Sequence, residues 1–104
     1  MIKLYLYDYT DYNNELHVYE LKAKVTDNGD FQIITYMPYF LIDKVINKNC
    51  LDDPNFYYHM MFSLYENKEE IFIKKICEKL EEKIAEIQKK IEKVRSIKAE
   101  VFKF

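Results

Sequence analysis

From Ile2 to Tyr9 the chain alternates, with Ile2, Leu4 and Leu6 set against Lys3, Tyr5, Tyr7 and Tyr9. This period-two pattern predicts a strand with one aliphatic and one aromatic face. Asp11-Tyr12-Asn13-Asn14 breaks the pattern, and Leu16–Val25 resumes it, with Tyr19, Leu21, Ala23 and Val25 on one side and Lys22 and Lys24 on the other. Asp27-Asn28-Gly29-Asp30 then supplies an Asn-Gly pair suited to the two positive φ angles of a type I′ turn. A third strand over Phe31–Tyr36 follows, and a two-residue loop would set Ala23 opposite Ile34 and Leu21 opposite Tyr36.

Pro38 can open a helix, and Leu41, Ile42, Val45 and Ile46 have helical spacing before Asn47-Lys48-Asn49, so a short helix is expected there. Asp52-Asp53-Pro54-Asn55 reads as a turn, because the residue before proline is pushed out of the helical region. The aromatic run Phe56–Leu64 reads as a fourth strand. Asn67 with Glu70, or Ser63 with Glu66, has the form of a capping box opening a helix.

From there apolar residues fall at Ile73, Ile76, Leu80, Ile84, Ile87, Ile91, Val94, Ile97 and Val101. The mean step of about 3.5 residues is that of left-handed coiled coils. The stripe slips twice, at the consecutive four-residue steps Ile76–Leu80–Ile84 and at the consecutive threes Ile91–Val94–Ile97. One stretch is therefore expected to pack on the chain's own sheet and another on a partner. A helix of about 30 residues spans about 45 Å, against a radius of gyration near 13 Å for a compact domain of this length. The sheet cannot cover it, and each large aliphatic left exposed forgoes about 1.5–3 kcal/mol of burial. Homo-oligomerisation through this helix is the expectation.

The predicted class is α+β: a small antiparallel sheet of about four strands with a short helix over residues 1–66, then one long, coiled-coil-like C-terminal helix over residues 67–104. At 104 residues the chain has room for one fold and one extension. Residues 1–66 carry ten acids against five lysines, while residues 67–104 carry eleven bases against eight acids. Neither half is basic enough to mark a DNA-binding protein. Cys50 and Cys77 lack CxxC spacing, and the start Met-Ile-Lys-Leu-Tyr has no apolar targeting segment, so free thiols and a cytoplasmic location are expected. No apolar run approaches the roughly 18 residues of a membrane span.

Candidate chemistry is sparse. Phosphate-binding loops and dinucleotide fingerprints need several glycines, and Gly29 is the only one. His17 and His59 have no ligand spacing, so no metal or cofactor is expected. Ser63 lacks a nucleophile setting, Cys77 reads as an inert thiol, and the adjacent acid pairs Asp52-Asp53, Glu69-Glu70 and Glu81-Glu82 suit solvation better than acid–base work. No enzymatic activity is expected.

The chain has ten tyrosines and seven phenylalanines, most of them concentrated at Tyr5–Tyr12, Tyr36–Phe40 and Phe56–Phe62. Aromatic faces can grip nucleobases, at about 1–3 kcal/mol per stack. Lys89, Lys90, Lys93 and Arg95, the only arginine, would supply cations for phosphate.

Met60-Met61-Phe62-Ser63-Leu64, then Asn67-Lys68-Glu69-Glu70, then the Lys/Glu/Ile helix resemble the first-described family of phage anti-Thoeris sponges. These small phage proteins bind cyclic ADP-ribose signals between subunits without cleaving them. The resemblance implies a phage-encoded anti-defence protein of an infected bacterial cell, holding a cyclic nucleotide, with Phe62, Met60 and Met61 as the stacking segment and Arg95 on the phosphates beside Lys89 and Lys93. Two other expectations compete with it. One is an anti-CRISPR-type inhibitor that contacts a host defence protein through its acidic half, and the other is a structural or adaptor coiled-coil protein.

Overall fold

In the computed structural model, which describes residues 1–10, 12–35, 44–54 and 59–104, β1 (Ile2–Thr10) lies between β2 (Glu15–Val25) and β5 (Met60–Ser63). β3 (Phe31–Ile33) and β4 (Val45–Ile46) extend the sheet beyond β2, giving the order β4-β3-β2-β1-β5 with every pairing antiparallel. The helix α1 (Glu69–Arg95) follows β5. The fold is α+β, with five strands where about four were expected.

The two faces of β1 divide as its alternation predicts. Register sets Leu4 opposite Leu21, and Leu6 opposite both Tyr19 and Phe62. These residues join Ala23, Ile33, Phe31 and Ile46 in an aliphatic core on one face. On the other face Tyr5, Tyr7 and Met61 pack with Phe72 and Ile76 of α1. A helix can settle there because Tyr7 presents a wide apolar ring, with its centroid 6.0 Å from that of Phe72.

The hairpin register differs from the expected one. Asp27-Asn28-Gly29 forms a three-residue loop in which the Thr26 amide donates to the Asp30 carbonyl at 2.8 Å and the Gly29 amide to the Thr26 carbonyl at 2.9 Å. Only Gly29 takes a positive φ in this loop, +84°, whereas a type I′ turn needs two such residues. Ala23 consequently faces Ile33, not Ile34. A one-residue slip exchanges the faces of a strand, and Ile33 is accordingly buried while Ile34 is exposed. The Leu21–Tyr36 pair expected with it lies outside the described residues.

Val45 and Ile46, expected to end a short helix, instead form the edge strand β4 against Gln32 and Phe31. Two adjacent apolar residues fit either element, and the sheet edge at β3 supplies the partner that decides it. The start of that helix, at Pro38, Leu41 and Ile42, lies outside the described residues, as do Asp11 of the first break and residues 55–58 of the expected fourth strand. The turn expected at Asp52–Asp53 is present.

Neither expected cap is used. Asn67 adopts φ +61°, and Lys68 precedes α1 with no side-chain cap. Asparagine tolerates the left-handed region. The Lys68 amide donates instead to the Tyr7 hydroxyl at 3.1 Å, while that hydroxyl donates to the Tyr65 carbonyl at 2.8 Å. The Ser63 hydroxyl accepts from the Tyr65 amide at 3.1 Å. Glu69 and Glu70 lie in the first turn, where the helix dipole favours acids. Lys75 ties the second turn to the 51–53 loop by donating to the Asp52 carbonyl.

The helix also ends earlier than expected, at Arg95, 27 residues from its start. The Ser96 hydroxyl donates to the Lys93 carbonyl at 2.9 Å, a local bond that competes with helix propagation. Residues 97–104 carry no helix. The radius of gyration is 19.6 Å and the long axis 67 Å, so the molecule is a small sheet with a projecting rod.

Two outcomes follow for stability. Tyr7→Phe removes the acceptor of the Lys68 amide and the donor to the Tyr65 carbonyl, and is expected to cost about 1–3 kcal/mol in urea unfolding. The second concerns pH. The Tyr5 hydroxyl donates to Glu66 Oε1 at 2.8 Å, and this bond, followed by burial and the charges of Glu66 and Glu20, pushes its pKa up to about 12. Burial, opposed by the Lys68 amide, also raises Tyr7. Unfolded tyrosine ionises near 10. Between pH 10 and 12 the native state therefore holds more protons than the unfolded chain, so stability is intact below about 10 and falls as pH rises through that window. Urea midpoints at pH 9, 10 and 11 should decline in the native protein and decline less in Tyr5→Phe.

Candidate functional site

The features that stand apart from the sheet core run along α1. Its root is buried through Phe72 and Ile76, but Leu80, Ile84, Ile87, Ile91 and Val94 are 41–58% exposed. Large aliphatics this bare in a continuous row form a patch that soluble monomers rarely carry. Beyond the helix Ile97, Val101, Phe102 and Phe104 are exposed as well.

The structure accounts for the first slip of the stripe. Ile76 points into the sheet and Cys77, its neighbour, is exposed. Taking Cys77 in place of Ile76, the outward row Cys77, Leu80, Ile84, Ile87, Ile91, Val94 steps by three and four without interruption. That is the spacing of a regular heptad repeat. The second slip falls at Ile97, beyond the end of α1.

Two concave surfaces lie on this row. Near the root, a cleft of about 370 Å³ is lined by Tyr9, Asn14, Leu16, Ile73, Ile76, Cys77 and Leu80, where the helix leaves the β1–β2 hairpin. Near the tip, a shallow groove of about 410 Å³ is lined by Ile87, Lys90, Ile91, Val94 and Arg95. The tip groove has an aliphatic floor and a cationic rim. It can receive an apolar surface with an acid at its margin, or a ring with a phosphate.

The residues expected to stack on a base are placed elsewhere. Phe62 is 7% exposed within the aliphatic core, Met60 packs beside it, and Met61 is buried on the opposite face under Phe72. β5 is an edge strand beside β1, and its two faces are covered by the two cores, Phe62 with Met60 on one and Met61 on the other. The unbroken apolar run Met60-Met61-Phe62 is the sequence signal of such a strand. Lys89, Lys93 and Arg95 lie in the last two turns of α1, remote from the sheet by most of a helix of about 40 Å. Within one chain the structure does not bring the two groups together. Tyr9 and Leu16, which line the root cleft, were not anticipated as site residues. Their signal was that Tyr9 continues the aromatic face of β1 and Leu16 stands opposite it in β2.

Other candidates are quiet. His17 is exposed beside Glu15 at 3.4 Å, and His59 stacks on Tyr9 with centroids 6.1 Å apart. Cys50 and Cys77 are free thiols. Among the described residues no three His, Cys, Asp or Glu side chains gather as a metal site, and no helix is long and apolar enough to cross a membrane. Comparison with protein-family models, with curated proteins and with solved structures finds no match to this chain.

The exposed seam has a direct consequence. Ile87→Asp at its middle leaves the sheet core untouched, so the urea midpoint of the isolated fold should change little, while any self-association seen by light scattering should fall towards the 12.7 kDa of one chain.

Proposed function

We propose that this chain is a non-enzymatic binding protein that assembles through α1 and sequesters a cyclic nucleotide immune signal between subunits, as a phage-encoded anti-defence protein acting in the infected bacterial cytoplasm. The observation that carries the reading is the exposed aliphatic row of α1, bordered near its tip by Lys90 and Arg95. Pairing two such rows creates an apolar interface rimmed with cations. Nucleotide phosphates match the rim through charge-assisted hydrogen bonds, and a base needs a flat apolar face beside it. With Phe62 in the core, the aliphatic floor of the tip groove, Ile87, Ile91 and Val94, is the apolar face beside the cations.

The burial of Phe62 and Met61 favours a second reading, in which the helix only assembles and the protein is a structural or adaptor component. Titration calorimetry with cyclic ADP-ribose separates the two. Sequestration predicts heat of binding with stoichiometry set by the assembly, the nucleotide recovered unchanged, and affinity reduced at least tenfold in Lys90→Ala at unchanged mass. Full assembly with no bound nucleotide, here and in heat-released extracts from infected cells, would leave the adaptor reading.

A further inference from the structure

We propose that the partner on α1 is a second copy running antiparallel, centred near residue 89, so that each chain's C-terminal tail reaches the other's root cleft. The inference rests on the assembly part of the function proposed above and not on its ligand. Two separate observations favour this orientation over the parallel one.

The first is charge. In the seam Cys77, Leu80, Ile84, Ile87, Ile91, Val94, the residues flanking the interface are Glu81, Gln88 and Arg95 on one side and Lys83 and Lys90 on the other. A parallel pair sets Lys90 against Arg95 of the other copy, twice, and Lys83 against Gln88, with no attractive contact among them. An antiparallel pair centred near residue 89 stacks Ile84 on Val94 and Ile87 on Ile91. It also brings Glu81 level with Arg95 of the other copy at both ends. Like charges facing each other oppose pairing and opposite charges support it, so the sign of the flanking charges selects direction even where each pair is weak.

The second is shape. The exposed apolar tail, with Ile97, Val101, Phe102 and Phe104, starts where α1 stops, and in a parallel pair both tails would remain uncovered at the far tip. In the antiparallel pair the tail of one copy begins level with residue 82 of the other and continues towards its root. The cleft of about 370 Å³, whose lining is apolar apart from Asn14 and the Tyr9 hydroxyl, lies there. An apolar tail and an apolar cleft, both open in the single chain, thus cover one another. The remaining like-charge contact is Lys90 opposite Lys90 across the two-fold axis, a position whose natural counter-charge is an anion such as phosphate.

A distance measurement decides between the orientations. Spin labels on Glu78→Cys in a Cys50→Ser/Cys77→Ser background sit eleven residues from the centre in each copy. The antiparallel pair separates them by about 33 Å along the axis, whereas the parallel pair holds them within about 20 Å, because paired helix axes lie only 8–10 Å apart. Mild oxidation of the native protein gives an independent readout. Parallel pairing places Cys77 on Cys77 in one layer and yields a disulfide-linked dimer, and antiparallel pairing yields none at this site.

Arg95→Glu should weaken the dimer about fivefold, and Glu81→Arg/Arg95→Glu should restore it. A short distance or a Cys77 crosslink overturns the orientation while leaving assembly and sequestration intact. A strict monomer by light scattering overturns both.

Discussion

The attachment of α1 to the sheet depends on one buried phenol. Tyr7 lies at the centre of β1, fully enclosed, with its ring against Phe72 and its hydroxyl shared between the Tyr65 carbonyl and the Lys68 amide. It therefore fixes the turn between β5 and α1 and the first turn of the helix, and it completes the core on that face. The absence of a side-chain N-cap becomes intelligible on this basis. One of the helix's unpaired amides is satisfied by a residue more than sixty positions earlier, a tertiary substitute for a local cap.

Around this junction the sheet is protected by its own proportions. Among the described residues its edges are β4 with two residues and β5 with four, which present little unpaired backbone to another strand. The longest strands, β1 and β2, are interior. Self-association by strand addition is thereby discouraged, and the aliphatic row on α1 is left as the adhesive surface among the described residues.

Much of this was readable from residue order, and the failures have specific causes. Alternation in Ile2–Tyr9 revealed both faces of β1 because a strand of period two displays its burial directly. The helix was legible from its repeat, since no other element sustains a 3.5-residue spacing. The hairpin register was misread because Asn-Gly is compatible with two loop lengths, and only the paired strands choose between them. Val45–Ile46 was too short to have a period. The end of α1 was hidden because Ile97 and Val101 prolong the apolar pattern past Ser96, where local hydrogen bonding stops the helix. The stacking role of Phe62 is implied by the resemblance alone, whereas the continuous apolar run around it is the mark of a strand covered on both faces, where the ring lies. The cationic residues at the tip were correctly placed on the helix, but sequence carries no distance between them and β5.

Among the described residues α1 is held at its root, through Phe72, Ile76, the Lys68 amide on Tyr7 and the Lys75 tie, and the remaining turns act as a lever. A tilt of ~5° at the root sweeps Arg95 sideways by ~3 Å, because ~35 Å of helix separates it from Phe72. Small adjustments around Tyr7 are thus magnified at the far end, where positional accuracy would come from whatever clasps the tip and not from the sheet that bears it.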